Sequence, residues 1–264
     1  MTQLLHADTT DRVLRAYYTV YNTHGHDYPE AFFEEMMRLE FAVMSVSCTT
    51  QVEYQVVYKG VIVGRHITDM EIGEGVILEL KVKDRLLPRD QAQLISNLKV
   101  ARKPVGLLLN FGSLRPETIR RVLTPFEGKN QPLWTPGEPD LALPYPTLRL
   151  MLRKATWEVY HELGAGFVHR IYVNAACVEM RRQAIPFHHF RKLIVFHRNH
   201  EIGQITFHHL IIDDKLVLAP VTVAIITASE INKVRAIMQQ YGLSIGMIVN
   251  FQNEKLEVRY IKEK

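Results

Sequence analysis

The sequence predicts an α/β protein in which one fold occurs twice in tandem. A shift of 140 residues pairs Val105–Phe111 with Ile245–Phe251, with the same Gly and the same Asn-Phe end in both segments. A shift of 139 residues pairs Val20–Asn22 with Val159–His161. Each half also shows helices, three strands, a helix and a strand in that order. Similarity at a fixed spacing indicates a duplicated domain, and this order is typical of an α/β unit with a helical crossover.

The distribution of proline predicts where one copy ends and the next begins. Six of the twelve prolines fall within residues 124–147, which we interpret as a linker that lies against a domain surface through apolar residues such as Trp134. We therefore expect one domain at residues 1–123 and another at 148–264. We also expect the two domains to pack through apolar surface about a pseudo-twofold axis.

Apolar periodicity predicts the elements of each copy. Residues 11–44 repeat with the helical period and break at His24–Asp27, which leaves Asp27 as the expected cap of the second helix. The remaining predictions for the first copy are strands at Gln51–Tyr58, Val61–Glu71 and Val76–Val82, a helix at Arg89–Lys99, a strand at Val105–Phe111 and a short closing helix at Pro116–Leu123. Those for the second copy are helices at Leu150–Glu162 and from Phe167, hairpin strands that turn at Arg198-Asn199, a strand at Lys215–Val221, a helix from Ser229 and a strand at Ile245–Phe251.

Composition excludes several classes of protein. Hydrophobic residues make up 47% and charged residues 23% of the chain, as in globular domains. Apolar runs such as Val105–Leu109 are far shorter than the ~20 residues that span a bilayer. The first residues show no basic segment followed by an apolar core, so we expect no secretory signal. Cys48 and Cys177 do not occupy equivalent repeat positions, and we expect reduced thiols in a cytoplasmic protein.

Charge differs between the halves. Residues 1–128 carry 15 Lys and Arg against 16 Asp and Glu, whereas residues 129–264 carry 17 against 12. A basic surface attracts nucleic-acid phosphates irrespective of base sequence. An excess of this size is also ordinary for a solvated surface, so charge alone leaves both interpretations open.

Three polar residues of the first copy point to chemistry. Side chains alternate along a strand, so Glu79 and Lys81 share one face while Leu80 faces the core. Asp69 lies on the preceding strand, across a short turn. Two carboxylates suit Mg²⁺, and a lysine suits the developing charge of phosphate hydrolysis or the orientation of an attacking water. Because unpaired charges on a buried strand are unfavourable, their position on an apolar strand favours a site over a solvated face.

These segments resemble a known family. Val76–Lys81, Gln91–Lys99 and Val105–Gly112, taken in order, are similar to the bacterial GxxExxY proteins, which belong to the PD-(D/E)XK nuclease superfamily and its RecB-like branch. The resemblance covers nearly all of residues 12–123 and, more faintly, 150–262. It implies two restriction-endonuclease-like αβββαβ domains and a Mg²⁺ site, with Mn²⁺ as the alternative ion. The residues that it implies are the metal-binding Asp69, Glu79 and Glu30, the lysine Lys81 and the helix glutamine Gln93.

The chain departs from the family pattern at several positions. The glycine of the helical motif is Asp27 and its tyrosine is Phe33 in the first copy. Asn97 stands where the RecB-like pattern commonly has tyrosine. These departures leave the metal set of the first copy intact and affect positions that place the substrate.

The second copy retains little of the acidic set. It restores the motif residues Gly166 and Tyr172, but the positions of Glu79 and Lys81 hold Ala219 and Val221. The 139-residue frame places His169 at the position of Glu30 and His208 at that of Asp69, with His209 adjacent. Imidazoles suggest a softer ion such as zinc as one alternative. The loss of both charged strand residues favours the other, an inactive site.

Together these observations predict a Mg²⁺-dependent nuclease. The first copy is expected to hydrolyse phosphodiester bonds in nucleic acid, with DNA favoured over RNA, while the inactive second copy serves a structural or nucleic-acid-binding role. The alternative is a non-catalytic nucleic-acid-binding or assembly protein with a relic acidic site. No membrane partner is expected, and protein partners or a homo-oligomer remain open.

Overall fold

The structure is a computed structural model that describes residues 4–26, 28–123, 141–198, 200–253 and 255–263. Three sequence predictions fall wholly or partly outside the described residues: the cap at Asp27, the linker over 124–140 with Trp134, and the hairpin turn at Asn199. No described helix has both the length and the apolar character that crossing a membrane requires.

The chain divides into two compact units. One unit comprises Met1–Val56 and Arg65–Phe126, and the other Val57–Gly64 and Glu127–Lys264. The tip of the first hairpin, Val57–Gly64, therefore belongs to the second unit. The expected boundaries at 123 and 148 stay a prediction.

The first copy is a five-stranded mixed sheet with helices. Its strands are hydrogen-bonded in the order β1-β2-β3-β4-β5, so β3 is central. Strands β3 and β4 run parallel and are joined by α3, which is the expected helical crossover. The elements are α1 (Ala7–His24), α2 (Glu30–Val43), β1 (Cys48–Tyr58), β2 (Val61–Ile72), β3 (Val76–Lys81), α3 (Pro88–Ala101), β4 (Val105–Asn110) and β5 (Glu117–Val122).

The second copy repeats this architecture. Its sheet has the order β10-β9-β8-β7-β6, and β8 and β9 are the parallel pair. The elements are α4 (Pro146–Leu163), α5 (His169–Arg182), β6 (Phe187–His197), β7 (His200–Ile212), β8 (Leu216–Val221), α6 (Ala228–Tyr241), β9 (Ile245–Asn250) and β10 (Glu257–Lys262).

The central strand explains why the core separates into two layers. All six residues of β3 are buried. Val76, Leu78 and Leu80 pack in the cluster that includes α1 and α2, whereas Ile77 packs against α3. This alternation places Glu79 and Lys81 on the α3 face of the sheet.

The crossover helix packs closely on the next strand in both copies. A Cβ atom added to Gly106 would lie 2.7 Å from the side chain of Leu94 in α3, and one added to Gly246 would lie 2.3 Å from that of Val234 in α6. A side chain at either position would force the neighbouring helix side chain to shift. The glycine shared by the two repeat segments is therefore favoured by close helix–strand packing.

One predicted element is wrong. Pro116–Leu123 was expected to close the first copy as a helix, but Glu117–Val122 is strand β5, antiparallel to β4. The segment contains the β-branched residues Thr118, Ile119 and Val122, which favour a strand. Pairing with the otherwise unpaired edge of β4 then gives the backbone N–H and C=O groups of the segment their hydrogen-bond partners. In the second copy β10 pairs with β9 in the same way, and the sequence patterns did not predict it.

The asparagine shared by the two repeat segments has the same structural role in each copy. Asn110 is fully buried; its Nδ2 donates to the backbone oxygen of Lys83 at 2.9 Å and its Oδ1 accepts from the Lys83 amide at 3.1 Å. Asn250 makes both of these bonds to Val223, at 2.7 and 3.2 Å. In each copy the asparagine holds the loop that leaves the central strand.

The two copies differ by one residue in their second strand. Met70 pairs with Leu78 in the first copy and Leu210 with Leu218 in the second, so the residue before each, Asp69 and His209, occupies the same place. The prediction that His208 replaces Asp69 is therefore wrong. Between the pairs Phe190–His209 and Lys192–Thr206, β7 has two residues opposite one of β6. This β-bulge lies in the strand along which the repeat spacing changes from 139 to 140.

Candidate functional site

The five residues singled out in the first copy lie together near the C-terminal end of the central strand β3. Asp69 is on β2, Glu79 and Lys81 are on β3, and Gln93 is on α3. Glu30 is the first residue of α2, after the cap residue Pro29. The strand pairing and the alternation of side chains bring Asp69 to the face that carries Glu79.

Glu79 is the most firmly held member of the group. Its side chain is fully buried. Oε1 accepts from Lys81 Nζ at 2.6 Å and from Gln93 Nε2, and Oε2 accepts from Asn97 Nδ2 at 2.7 Å. Both oxygens therefore have donors, as a buried carboxylate requires.

Lys81 places its ammonium among oxygen atoms from four residues. Nζ donates to Glu79 Oε1 at 2.6 Å and to the backbone oxygen of Leu80 at 2.7 Å. Asp69 Oδ2 and Glu30 Oε1 each lie 4.0 Å from Nζ. Three carboxylates and a carbonyl thus surround a single positive charge.

Asp69 and Glu30 approach this centre in different ways. Asp69 Oδ2 accepts from the backbone amide of Leu80 at 2.7 Å, which fixes the carboxylate against β3. Glu30 has a side chain that is 45% exposed, so it borders the group from the solvent side.

Burial sets the electrostatics of the group. It raises the pKa of Glu79 to about 7, with a further rise from Asp69 that Lys81 opposes. Burial likewise raises the pKa of Asp69 and of Glu30. Burial lowers the pKa of Lys81, but its attraction to Glu79, Asp69 and Glu30 is larger, and the net shift is upward. The lysine is therefore held as a cation by an excess of negative charge.

Two residues behind Glu79 were not among the predicted site residues. Asn97 donates to Glu79, and its Oδ1 lies 3.0 Å from Nδ1 of His66. Nε2 of His66 lies 3.1 Å from the hydroxyl of Ser96. Because Asn97 Oδ1 only accepts, His66 donates from Nδ1, and its Nε2 accepts from Ser96. Asn97 follows Gln93 by four residues, so both lie on one face of α3, and this spacing could have predicted the contact of Asn97 with Glu79. No pattern on β2 indicates His66.

The donor atoms of this group fit a hard divalent cation. All are oxygens, which Mg²⁺ prefers, and the ammonium of Lys81 already occupies a centre on which they converge. Within the described part of the chain, no group of three or more His, Cys, Asp or Glu side chains is arranged to hold a metal ion. In the structure, the cation among these carboxylates is Lys81.

The corresponding region of the second copy lacks the acidic group. His169 begins α5 as Glu30 begins α2, and His209 takes the place of Asp69. The parallel pairing of β8 with β9 places Ala219 and Val221 where the first copy has Glu79 and Lys81. On α6, the position of Gln93 holds Lys233. The second copy therefore cannot form the same carboxylate–lysine group.

Fold and site together define a class. It is an α/β domain with two carboxylates and a lysine on adjacent strands at the centre of a mixed sheet. The domain occurs twice, and only the first copy keeps these residues. The family model of the PD-(D/E)XK nuclease superfamily matches residues 7–122 and again residues 147–262. The chain belongs to this superfamily, as a tandem duplication of its domain.

Other comparisons add little. The chain matches no curated protein. Among solved structures it is similar to one described as the crystal structure of SSO0001, at 15% identity and a TM-score of 0.29, over 46% of this chain and 68% of that one. A likeness of this size carries no argument about function.

Membership in the superfamily has a general functional meaning. PD-(D/E)XK domains point to a nuclease-type function and hence to nucleic acid as a partner. Nucleases of this superfamily generally use divalent metals, typically Mg²⁺. The narrower resemblance to the GxxExxY proteins stays a prediction.

Proposed function

We propose that the first copy is a Mg²⁺-dependent nuclease that hydrolyses phosphodiester bonds, with DNA favoured over RNA and Mn²⁺ as an alternative ion. The observation that carries this proposal is the set of oxygens from Glu79, Leu80, Asp69 and Glu30 around the Lys81 ammonium. An excess of buried carboxylate charge over ammonium charge favours an additional cation at this point.

The proposal gives each acidic residue a role. Asp69, Glu79 and Glu30 would hold the ion, which when bound polarises the phosphate and lowers the pKa of bound water. Gln93 and Asn97 hold the Glu79 carboxylate in one orientation through their donated hydrogen bonds. Such supporting contacts affect metal affinity and activity nearly as much as the ligands do.

Lys81 has a separate role toward the substrate. Its ammonium carries a charge that the surrounding carboxylates stabilise. Once released from these oxygens, it can donate to a phosphate oxygen and offset the negative charge that develops there during hydrolysis. A cation held in a buried site acts more strongly than one in water, because the local dielectric is lower.

The second copy is proposed not to cleave. The second copy has no counterpart of the Glu79 and Lys81 side chains, because Ala219 and Val221 replace them. Hydrolysis by the full chain is therefore expected to depend on residues of the first copy alone.

The test is cleavage of single- and double-stranded DNA and RNA by the full chain with Mg²⁺, with Mn²⁺ and with a chelator. We expect metal-dependent cleavage that Asp69→Asn abolishes. The matched control is Asp213→Asn, which changes a carboxylate that is paired with Lys215 on a surface turn. Cleavage that survives Asp69→Asn would overturn the proposal. Metal-independent binding without cleavage of any substrate would instead favour the non-catalytic alternative.

A further inference from the structure

A cleft of about 280 Å³ lies in the second copy, at the place that corresponds to the acidic group of the first. Ala219 and Val221 line it and have shorter side chains than Glu79 and Lys81 at the equivalent positions. The space follows from these replacements. Its volume is close to the lower end of the roughly 300–1,000 Å³ pockets that bind small molecules.

Three imidazoles converge on this cleft. The rings of His169 and His208 lie 5.3 Å apart. His209 also lines the cleft and is only 9% exposed, and its Nδ1 is buried without a hydrogen-bond partner among the described residues. A buried polar atom without a hydrogen bond is unfavourable, so a ligand that pairs with this nitrogen is stabilised.

The cleft lacks the excess of carboxylates that marks the first site. Each acidic position of the first copy is occupied here by a histidine or an alanine, and the position of Gln93 holds Lys233. One carboxylate, Glu230, does line the cleft. It accepts from the backbone and hydroxyl of Thr227 and lies 3.6 Å from Lys233, so its charge is engaged at the start of α6.

We propose that this cleft binds a phosphate group, either of a free nucleotide or of a nucleic-acid backbone. Imidazole N–H groups, the Lys233 ammonium and the hydroxyls of Thr206 and Thr222, which also line the cleft, are donors that suit phosphate oxygens. The size of the cleft suits one phosphate with its sugar. The inference rests on residues of the second copy and does not require cleavage by the first.

An ammonium and two hydroxyls line this cleft beside the imidazoles, and these groups suit an anion better than a metal ion. The four oxygens of a phosphate accept from donors in several directions. The zinc alternative becomes an outcome of the test.

The experiment measures binding to the full-length Asp69→Asn protein in the presence of a chelator, so that cleavage cannot interfere. The probes are inorganic phosphate, a 5′-mononucleotide and a short oligonucleotide. Their binding is measured by calorimetry and by changes in the NMR signals of the histidine rings. We expect at least one probe to bind and to shift those signals. Binding of phosphate and mononucleotide indicates a free nucleotide as ligand, whereas binding of the oligonucleotide alone indicates a nucleic-acid backbone.

Two variants test the residues. His209→Gln and Lys233→Gln should each weaken binding about tenfold or more, since a hydrogen bond to a charged group contributes about 1.5–3 kcal/mol. Lys233 is on the surface of α6, so its variant keeps the test valid if His209→Gln fails to fold. His200→Gln, at the exposed start of β7, is the control. Three outcomes would each overturn the proposal. The first is unchanged affinity in Lys233→Gln, and the second is the absence of binding by all three probes. The third is binding of zinc without chelator but no binding of any phosphate.

Discussion

Asn97 Nδ2 donates to Glu79 Oε2 at 2.7 Å, on the side of the carboxylate opposite the Lys81 ammonium. Asn97 in turn accepts from His66, whose other nitrogen faces Ser96. The orientation of Glu79 is thus determined by a chain of neutral groups that extends from α3 to β2. These residues are positioning residues, because they act on the reaction only through Glu79.

Asn97→Ala should lower metal-dependent cleavage by about 10–100-fold, as loss of a supporting contact to a metal ligand does. The free energy of unfolding should fall by about 1–3 kcal/mol, because Glu79 Oε2 remains buried without its donor. Cleavage rates at several Mg²⁺ concentrations and denaturant unfolding measure the two effects. Asn22→Ala, at an exposed position of α1, should change neither. Full activity at low Mg²⁺ in Asn97→Ala would contradict the positioning role.

Asp69→Asn should leave the metal-free protein as stable as the parent chain, or more stable. The substituted amide oxygen can still accept from Leu80, while the repulsion between Asp69 and Glu79 disappears. Addition of Mg²⁺ should raise the Tm of the parent chain and not that of the variant. A thermal melt with and without Mg²⁺ measures this. An equal rise of Tm in both proteins would show that the ion binds elsewhere.

Asn110→Ala and Asn250→Ala form a matched pair across the duplication. Each removes a buried asparagine that holds the loop after its central strand, so each should lower the free energy of unfolding by roughly 2–4 kcal/mol. Only Asn110→Ala should lower cleavage, because only its loop follows Lys81. Loss of cleavage in Asn250→Ala under conditions where the variant is folded would contradict the assignment of activity to the first copy.

The histidine of the second cleft should make the protein sensitive to acid. Burial lowers the pKa of His209 to about 4; a hydrogen bond with the backbone of His208 opposes this shift, and the charges of His169, Lys233 and His208 add to it. The unfolded histidine has a pKa of about 6.5. Between these values the unfolded chain binds a proton that the folded chain does not, so the free energy of unfolding falls by up to roughly 3 kcal/mol as the pH drops from about 6.5 to 4.

Denaturant unfolding at a series of pH values measures this effect. His209→Gln should show a smaller loss of stability over the window, whereas His200→Gln should follow the parent chain. The same acid slope in both variants would mean that other groups determine the acid sensitivity.

Deletion of residues 148–264 should produce a protein that aggregates or binds nucleic acid less well. Tyr58, at the tip of the β1–β2 hairpin, is fully buried and donates to Glu179 at 2.7 Å, and Lys59 lies 3.0 Å from the same carboxylate. The deletion removes Glu179 and exposes Tyr58. Light scattering and a nucleic-acid binding assay on the 1–147 fragment measure the result. A monomeric fragment with full binding would show that the second copy is dispensable.

The sequence predicted most of the fold because the patterns involved are local. The buried run Val76–Lys81 and the crossover helix were found by periodicity alone. Strand β5 was missed because Pro116 at its start is typical of the beginning of a helix. The segment pairs with the edge of β4. That edge exists only in the folded sheet, so the local sequence does not indicate it.

The candidate site was predicted in part for the same reason. Glu79 and Lys81 follow from strand alternation and Asp69 from its place on the neighbouring strand across a short turn, whereas Glu30 and Gln93 follow from a resemblance to a family. His66 could not be predicted, because its contact with Asn97 depends on how β2 lies against α3. The cleft of the second copy likewise depends on the register of β7, which spacing along the chain does not determine.

The β-bulge in β7 affects how the two halves of this chain are compared. An ungapped alignment of the two halves places the histidine at 208 against the aspartate at 69, whereas the hydrogen-bonded ladder places position 209 there. An alignment of the two halves therefore needs a one-residue gap in this strand. Substitutions at 208 and at 209 then have different meanings, since only position 209 takes the place of Asp69 in the strand pairing.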